Sequence, residues 1–552
     1  MPKPVKKAPS ITPWDSEAQL LLWLATCVSV LSFLFYFKLG EVLLYGDAVA
    51  HINIARRVFD SKTPGLLQLG TVWLPLPHLL MIPFLLSKNL WQSGLGGSIP
   101  SMAAYVLGTA GIFRLVRGML SRDRSVTPSA RFAAWIAALV FAANPNLLYM
   151  QTTAMGESLY LAFFIWTLVF FSEGLRGDAK GYAKSGICLL AACVTRYDGW
   201  FLAAILFCVV AVLILIHRIP RAAGLKFLFL AAAGPILWLT YNGIVYRNPL
   251  EFENGPYSAK AIERRTQSSG NPGHPGSGNL YVAGLYFLKS AEGTMSMNEW
   301  LQRGWIFLLA AAIAILILIY YRYRSQPATD APRAFAWLPL VLLLLPVPFY
   351  ALSVAYGGVP IFIPWWWPFT HYNVRYGLQL LPAFSAAVAL VLNFVLEQRW
   401  KDNLRLASML ALFAFLTASY VTIWRATPID LKEAQVNMRT RNLLESQVAS
   451  LLQKLPPDAT LLMYLGDHVG ALQKAGIPLS HTINEGNHRV WKQPADPEGL
   501  WEQALADPSH YADFVVAFEG DPVWQAAQDH HLAALIELHV SGQAPAALYR
   551  AR

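Results

Sequence analysis

Charged residues are scarce in this sequence. Only 14% of its 552 residues are charged, whereas 55% are hydrophobic. A soluble domain usually carries about 25% charged residues, so the composition excludes an ordinary water-soluble protein and predicts a chain largely embedded in lipid. The net charge of +10 is high, but the basic residues lie in short loops between apolar segments. We therefore exclude nucleic acid as a partner.

Cysteine is also scarce, and all four cysteines lie inside apolar segments (Cys27, Cys188, Cys193 and Cys208). We interpret them as small core residues, because their spacing is not that of metal ligands. Neither an HExxH motif nor a Cys/His cluster is present. The sequence therefore predicts no cofactor, and a divalent metal held by paired acids is an alternative that no motif indicates.

Long apolar runs, in contrast, are abundant. A helix needs roughly 20 apolar residues to cross about 30 Å of hydrocarbon, and about eleven segments approach this length. The predicted spans are Leu20–Leu39, Ser98–Gly118, Phe132–Leu148, Ser158–Glu173, Gly186–Val194, Phe201–Ile216, Phe227–Val245, Trp305–Tyr320, Phe335–Val354, Tyr376–Leu396 and Leu406–Ile423. Trp73–Leu86 is shorter and contains Pro75, Pro77 and Pro83, so we interpret it as a juxtamembrane or re-entrant segment.

The distribution of Lys and Arg predicts the orientation of these spans. If the N-terminus with Lys3, Lys6 and Lys7 is cytoplasmic, the short basic loops all lie inside. Leu20–Leu39 is too long for a signal peptide and is not followed by a small-residue cleavage site. We therefore predict a multi-pass protein of the inner or plasma membrane, with the polar tail after Arg425 outside the cytoplasm.

Acidic, basic and aromatic residues gather on the predicted outer face. The candidate site residues there are Asp47, His51, Glu157, Arg196, Asp198, Tyr257, Lys260, His371 and Arg375. Asp47 opens the stretch "DAVAHINIARRVFD", whose apolar residues recur at helical spacing, as expected for a helix lying at the membrane interface. A simple helix cap is the alternative role for this aspartate, and it is the commonest one at such a position.

The tail from residue 426 to residue 552 has a different pattern. "IDLKEAQVNMRTRNLLESQVASLLQKL" predicts a long amphipathic helix. "ATLLMYLGD", "DFVVAFEGD" and "LAALIELHV" are short apolar runs separated by helical stretches, which is typical of α/β domains. The predicted fold class is therefore mainly α, with about eleven transmembrane helices, extracytoplasmic juxtamembrane helices and a small C-terminal α/β soluble domain.

Six segments of the outer face occur in the order found in one enzyme superfamily. They are "YGDAVAHINIARR", "WLPLPHLLMIPF", "TTAMGES", "TRYDGW", "YNGIVYRNPLEF" and "HYNVRYGLQLLPA". Together they resemble the GT-C integral-membrane glycosyltransferases, such as protein mannosyltransferases and aminoarabinose transferases. Those enzymes usually have an Asp-Glu pair after the first span, whereas Ala48 follows Asp47 here. In this respect the chain is similar to bacterial enzymes that use polyprenyl-phosphomannose.

The resemblance implies a GT-C-like transmembrane catalytic domain at residues 1–425. It implies transfer of a sugar, with mannose favoured, from a polyprenyl-phosphate donor to a hydroxyl of an extracytoplasmic lipid, glycan or protein. A direct displacement inverts the anomeric carbon and needs one base for the acceptor hydroxyl, for which Asp47 is the candidate. The leaving phosphate needs positive charge, for which Arg375 is the best candidate and Arg196 a weaker one.

The other site candidates each have an alternative structural role. Glu157 and Asp198 are expected to position sugar hydroxyls, although Asp198 suits an ion pair with Arg196 equally well. His51 either orients Asp47 or is an interface histidine without a role in the reaction.

Three further candidates lie farther along the same face. Tyr257 is expected to stack on the sugar or the prenyl chain, but an aromatic belt at the membrane interface explains it equally well. Lys260 is a weaker candidate for binding phosphate, and contact with lipid headgroups is its favoured alternative. His371 is included among the substrate-binding candidates.

Two other functional classes remain open at this stage. A transporter or lipid flippase would also have many spans, but such proteins tend to have internal repeats and ionisable residues near the middle of the membrane. The predicted spans contain almost none of these residues. The second class is a non-catalytic sugar-binding membrane subunit in which the tail is the functional part.

Overall fold

The computed structural model describes residues 14–121, 126–324, 337–398, 400–488 and 496–552. Lys3, Lys6 and Lys7, which we used to orient the chain, lie outside these residues, as do positions 122–125, 325–336 and 399 of the predicted inside loops. The helices before the tail are α1 (Ser16–Lys38), α2 (Gly46–Arg57), α3 (Leu76–Leu85), α4 (Lys88–Gln92), α5 (Leu95–Leu120), α6 (Pro128–Ala142), α7 (Pro145–Met150), α8 (Glu157–Leu175), α9 (Ala179–Cys193), α10 (Asp198–Leu215), α11 (Arg221–Val245), α12 (Glu251–Asn254), α13 (Ala259–Ser268), α14 (Leu280–Met295), α15 (Glu299–Arg324), α16 (Leu338–Leu342), α17 (Pro346–Tyr356), α18 (Leu381–Glu397) and α19 (Asp402–Ala426).

The chain is a multi-pass membrane protein. Across the described residues, 9 helical segments are long and apolar enough to cross a membrane, and each overlaps a predicted span. The two remaining predicted spans, Phe132–Leu148 and Gly186–Val194, correspond to α6 and α9, which have only 15 residues each. Among the described residues, nine of the eleven predicted spans are therefore found at full length, and the other two correspond to shorter helices.

Contacts at the two ends of α6 show that this helix runs from one end of the bundle to the other. Near its start, Arg131 pairs with Glu17 in the first turn of α1 at 2.9 Å. Just beyond its end, the side-chain amide of Asn144 donates to the carbonyl of Thr294, at the end of α14, at 2.9 Å. We call the end of the bundle near Glu17 the opposite face and the end near Thr294 the site face.

Helix α9 runs between the same two faces. It follows the end of α8, where Glu173 pairs with Arg114 of α5 at 2.6 Å. One turn farther along α5, Arg117 pairs with Asp15 at the start of α1, on the opposite face, at 2.7 Å. Just after α9 ends, Arg196 pairs with Glu157 at the start of α8 at 2.9 Å. Helix α9 therefore runs from the opposite face to the site face, and α1 begins on the opposite face.

Short helices cover the site face. Helix α3 falls within the Trp73–Leu86 segment, and its 10 residues span about 15 Å, half of the hydrocarbon thickness. The backbone N–H of Leu76 in α3 donates to the carbonyl of Val194 at 2.9 Å, which holds α3 against the end of α9. Helix α14 was not predicted, because its apolar run is interrupted by Lys289 and Glu292.

After the last span, the chain forms a long helix and a five-stranded sheet. The elements are α20 (Ile429–Leu452), β1 (Leu461–Met463), α21 (Gly470–Ala475), β2 (Thr482–Ile483), α22 (Leu500–Ala506), α23 (Pro508–Tyr511), β3 (Phe514–Phe518), α24 (Pro522–Asp529), β4 (Ala534–Leu538) and β5 (Ala546–Arg550). The strand order is β2-β1-β3-β5-β4. Strands β2, β1 and β3 are parallel, whereas β5 is antiparallel to both β3 and β4.

The two faces of this sheet are covered by different helices. Leu462 and Val515 point to one side and pack with Val523 of α24, whereas their neighbours Leu461 and Val516 belong to the core that includes α20. This alternation follows from the two-residue period of a strand. The mainly α class with a small C-terminal α/β region is therefore confirmed. Strands β2 and β5 were not predicted, because β2 has 2 residues and β5 is rich in alanine.

Candidate active site

Asp47 lies at the site face and is paired with Arg375. Its Oδ2 is 2.7 Å from Nη2 of Arg375, and 42% of the Asp47 side chain is exposed. Helix α2 begins at Gly46 with Tyr45 as its N-cap, and no side chain caps this end. The alternative role of Asp47 as a helix cap is therefore wrong, because its side chain is directed to an arginine from a distant part of the chain.

Arg375 lies at the centre of a cluster of carboxylates. It belongs to the 3₁₀ helix Val374–Leu380, which leads into α18. Besides Asp47, its guanidinium contacts Glu433 at 2.7 Å through Nη1 and Glu157 at 3.3 Å through Nε. The planar guanidinium presents its donors in fixed directions, so each carboxylate occupies a different edge. Its Cζ also lies 5.3 Å from the ring centre of Tyr45, within the range of a cation–π interaction.

Arg196 forms the second half of the same cluster. Its Nη1 donates to Glu157 at 2.9 Å, its Nε donates to Asp198 at 3.1 Å and its Nη2 donates to the hydroxyl of Tyr350 at 3.0 Å. Oε1 of Glu157 is thus shared between Arg196 and Arg375. We call the connected set Asp47, Glu157, Arg196, Asp198, Arg375 and Glu433 the ion-pair network.

Tight turns between helices bring these residues together. Helix α8 begins at Glu157 and α10 begins at Asp198. Between α9 and α10 the chain turns so closely that a Cβ on Gly199 would lie 2.5 Å from the backbone carbon of Ala192. Only glycine fits such an approach, and the turn places Arg196 and Asp198 side by side at the entrance to α10.

Several buried polar atoms around the network have no hydrogen-bond partner among the described residues. They include Oε2 of Glu157, Oγ of Ser158 and Oδ1 of Asp198. Buried polar atoms in folded proteins nearly always have a partner. These three atoms lie at the starts of α8 and α10, and they are candidate contacts for the hydroxyl groups of a bound ligand.

His51 lies one turn after Asp47 on α2, but its partner is another histidine. Its Nδ1 is 2.8 Å from Nε2 of His78 on α3, and its ring lies 4.6 Å from that of Trp73. Burial, together with the nearby positive charge of Arg375, lowers the pKa of His51 to about 3. Burial also holds the pKa of His78 well below its usual value. Both rings are therefore neutral at physiological pH.

The three remaining candidates lie outside the ion-pair network. The hydroxyl of Tyr257 is hydrogen-bonded to Tyr464, which follows β1 in the C-terminal region. Lys260 pairs with Glu253 at 2.6 Å, and both side chains are exposed. The backbone carbonyl of His371 accepts from Asn437 of α20 at 2.9 Å.

The sequence motifs did not indicate Glu433, Tyr45 or Tyr350 as site residues. Glu433 has no motif around it and lies in the helix that we predicted to begin the tail. Tyr45 and Tyr350 were indistinguishable from interface aromatics. Across the described residues, no group of three or more His, Cys, Asp or Glu side chains is arranged to hold a metal ion.

Solved structures of other proteins are similar to this chain in their fold. ArnT from Cupriavidus metallidurans bound to undecaprenyl phosphate is 13% identical, with a TM-score of 0.52 over 98% of this chain and 99% of that chain. The apo state of the same protein is 12% identical, with a TM-score of 0.52 over 97% and 99%. The oligosaccharyltransferase of Archaeoglobus fulgidus in its apo form is 14% identical, with a TM-score of 0.44 over 91% of this chain and 69% of that chain.

No family model and no curated protein matches the sequence. The likeness to ArnT nevertheless extends over nearly the whole of both chains. The chain therefore shares the fold of ArnT.

Proposed function

We propose that this protein is a membrane glycosyltransferase that moves a sugar from a polyprenyl-phosphate carrier to an acceptor hydroxyl, with inversion at the anomeric carbon. The observation that carries the proposal is the contact between Asp47 and Arg375 at 2.7 Å. It places a half-exposed carboxylate, suited to accept a proton, beside a guanidinium, suited to bind a phosphate. The GT-C fold supports the same reaction class.

The proposed step is a single displacement. The acceptor oxygen forms a bond to the anomeric carbon while the bond from that carbon to the phosphate oxygen breaks. Asp47 takes the proton of the acceptor hydroxyl, and the carrier leaves as a lipid phosphate whose negative charge is stabilised by Arg375. Glu157, Ser158 and Asp198 supply buried oxygen atoms for the sugar hydroxyls.

We propose mannose as the favoured sugar, because the lone Asp47 without a following acid is similar to enzymes that use polyprenyl-phosphomannose. The acceptor is a lipid, glycan or protein on the same side of the membrane as the site face. The division of the chain into a catalytic part at residues 1–425 and a soluble part at residues 426–552 remains our proposal.

We further propose that the site face is extracytoplasmic, in an inner or plasma membrane. The support for this orientation is the concentration of Lys and Arg in the short loops of the opposite face.

The orientation predicts which surface cysteines a membrane-impermeant maleimide labels in intact cells with a permeabilised outer barrier. Asp458→Cys, which is exposed between α20 and β1, is expected to be labelled. The matched variant Lys180→Cys, exposed at the start of α9 on the opposite face, is expected to react only after the cells are lysed. The wild-type chain supplies the background of its native cysteines. Labelling of position 180 but not of position 458 in intact cells would show that the site face is cytoplasmic.

A donor screen tests the reaction itself. We expect a polyprenyl-phosphate sugar to raise the melting temperature of the purified protein and to undergo slow hydrolysis or transfer, whereas the polyprenyl alcohol without phosphate does neither. Polyprenyl-phosphomannose is expected to give the largest shift. Stabilisation without cleavage of the sugar–phosphate bond, even with candidate acceptors present, would favour a sugar-binding subunit, and movement of the intact donor across proteoliposomes would favour a flippase.

A further inference from the structure

Helix α20 begins the C-terminal tail, yet its first turns lie on the site face. Asp430 donates its backbone N–H to Asn146 at 3.1 Å and accepts a hydrogen bond from the hydroxyl of Tyr45 at 2.8 Å on its carbonyl. Gln435 donates to Glu41 at 2.8 Å. These contacts join α20 to the loop before α2 and to α7, so the helix passes directly over the segment that carries Asp47.

Glu433 contacts three consecutive residues of the segment that carries Arg375. Its Oε1 accepts from the backbone N–H of Asn373 at 3.1 Å and from Nη1 of Arg375 at 2.7 Å, while its Oε2 accepts from the backbone N–H of Val374 at 2.7 Å. Asn373 has a φ of 57°, in the left-handed region, which asparagine tolerates better than most residues. One carboxylate thus holds both the backbone turn and the side chain that follows it.

The partners of Arg375 differ in their access to solvent. The side chains of Glu157 and Glu433 are only 0% and 2% exposed, whereas that of Asp47 is 42% exposed. From inside the protein, Nη1 donates a hydrogen bond to Glu433 and Nε has a longer ion-pair contact with Glu157, whereas Nη2 faces the more exposed Asp47. An anionic ligand that enters the site meets the Nη2 edge.

We propose that α20 completes the active site and that Glu433 is a positioning residue, which directs Arg375 toward the phosphate of the donor. This inference rests on the proposed function, because it takes the phosphate as the ligand of Arg375. It assigns to the first turns of the tail a role in donor binding, which the sequence did not predict.

A positioning role and a purely electrostatic role of Glu433 predict opposite changes in phosphate affinity when Glu433 is replaced by glutamine. The ion-pair network contains four carboxylates and two guanidinium groups (Asp47, Glu157, Asp198 and Glu433 against Arg196 and Arg375). Removing one negative charge should therefore strengthen the binding of an anionic phosphate if Glu433 acted only through its charge. If Glu433 positions Arg375, the same change should weaken binding.

The experiment measures the affinity of the full-length protein for a polyprenyl phosphate without sugar. We expect Glu433→Gln to weaken binding roughly ten- to a hundredfold, as is usual for the loss of a charge-assisted hydrogen bond. Glutamine has one side-chain oxygen and cannot accept from both backbone N–H groups and the guanidinium. Hydrogen exchange at the backbone of Asn373 and Val374 should therefore accelerate as well.

Glu445→Gln is the matched control. Glu445 is also a buried acid on α20, paired with Arg441 at 3.0 Å and with Lys474 at 3.1 Å, and it lies about 18 Å farther along the helix. Its replacement should leave both phosphate binding and exchange at Asn373 and Val374 unchanged.

Unchanged or tighter phosphate binding in Glu433→Gln would overturn the proposed role, and so would unchanged exchange at the two amides. A wild-type protein that does not bind the polyprenyl phosphate would contradict the proposed function instead. In that case the exchange measurement still decides whether Glu433 holds this segment.

Discussion

Replacing Asp47 with asparagine is expected to lower the rate of sugar transfer roughly 10²–10⁴-fold, the usual contribution of a general base. Asparagine has nearly the same shape and can still accept a hydrogen bond from Arg375 through its side-chain oxygen, but it cannot take a proton from an acceptor hydroxyl. Because the Asp47 side chain is half-exposed and Arg375 keeps Glu157 and Glu433 as partners, the melting temperature should barely change. Transfer and melting temperature are measured side by side on the same preparation.

Glu253→Gln is the matched control for this substitution. Glu253 is an equally exposed acid with a basic partner, Lys260, at 2.6 Å, but it lies outside the ion-pair network. It should therefore transfer sugar at nearly the wild-type rate. Normal turnover in a well-folded Asp47→Asn protein would show that another group accepts the proton.

Replacing Arg375 with alanine is expected to weaken donor binding by about two orders of magnitude, since a guanidinium makes several charge-assisted hydrogen bonds to a phosphate. It should also destabilise the protein, because Glu433 would be left buried without its paired cation, whereas Glu157 would keep Arg196; such a loss typically costs about 3–5 kcal/mol. Arg375→Lys keeps the charge but loses the planar arrangement of donors. We expect it to fold normally and to recover donor binding only in part.

The measurement is the affinity of each variant for a polyprenyl-phosphate sugar, together with its melting temperature. Arg56→Lys is the control, because Arg56 is also buried on the site face and pairs with Asp60 at 2.7 Å, away from the ion-pair network. Equal donor affinity in the wild type and in both Arg375 variants would show that this arginine does not bind the donor.

Four residues of the candidate site could be predicted from the sequence, because the hydrocarbon core of a membrane excludes charged side chains. Glu157, Arg196, Asp198 and Arg375 stand out at the ends of apolar runs, where an ionised side chain can leave the hydrocarbon. The structure brings these four residues together with Asp47 in one network. Their roles in binding and catalysis stay predictions.

The contacts of His51 and Glu433 could not be predicted from the sequence. His51 was expected either to orient Asp47 or to be an interface histidine, since the two residues are one helical turn apart. The packing of α3 against α2 places Nε2 of His78 at 2.8 Å from Nδ1 of His51, a contact that the sequence did not predict. Glu433 lies 58 positions from Arg375 in an amphipathic helix where an acid is unremarkable in sequence. Only the return of α20 over the site face makes it a partner.

The sequence by itself determined the membrane character, the approximate spans, the long tail helix and three of the five strands. These depend on the length and periodicity of apolar residues, which are local properties of the chain. The sequence also predicted α6 and α9 as spans, but only the tertiary structure shows that each runs between the two faces of the bundle with 15 residues. The tertiary structure alone decided that Asp47 pairs with Arg375 instead of capping α2, and that the tail contributes Glu433 to the site. These are contacts between residues far apart in the chain, so the packing of the helices selects them and no local pattern records them.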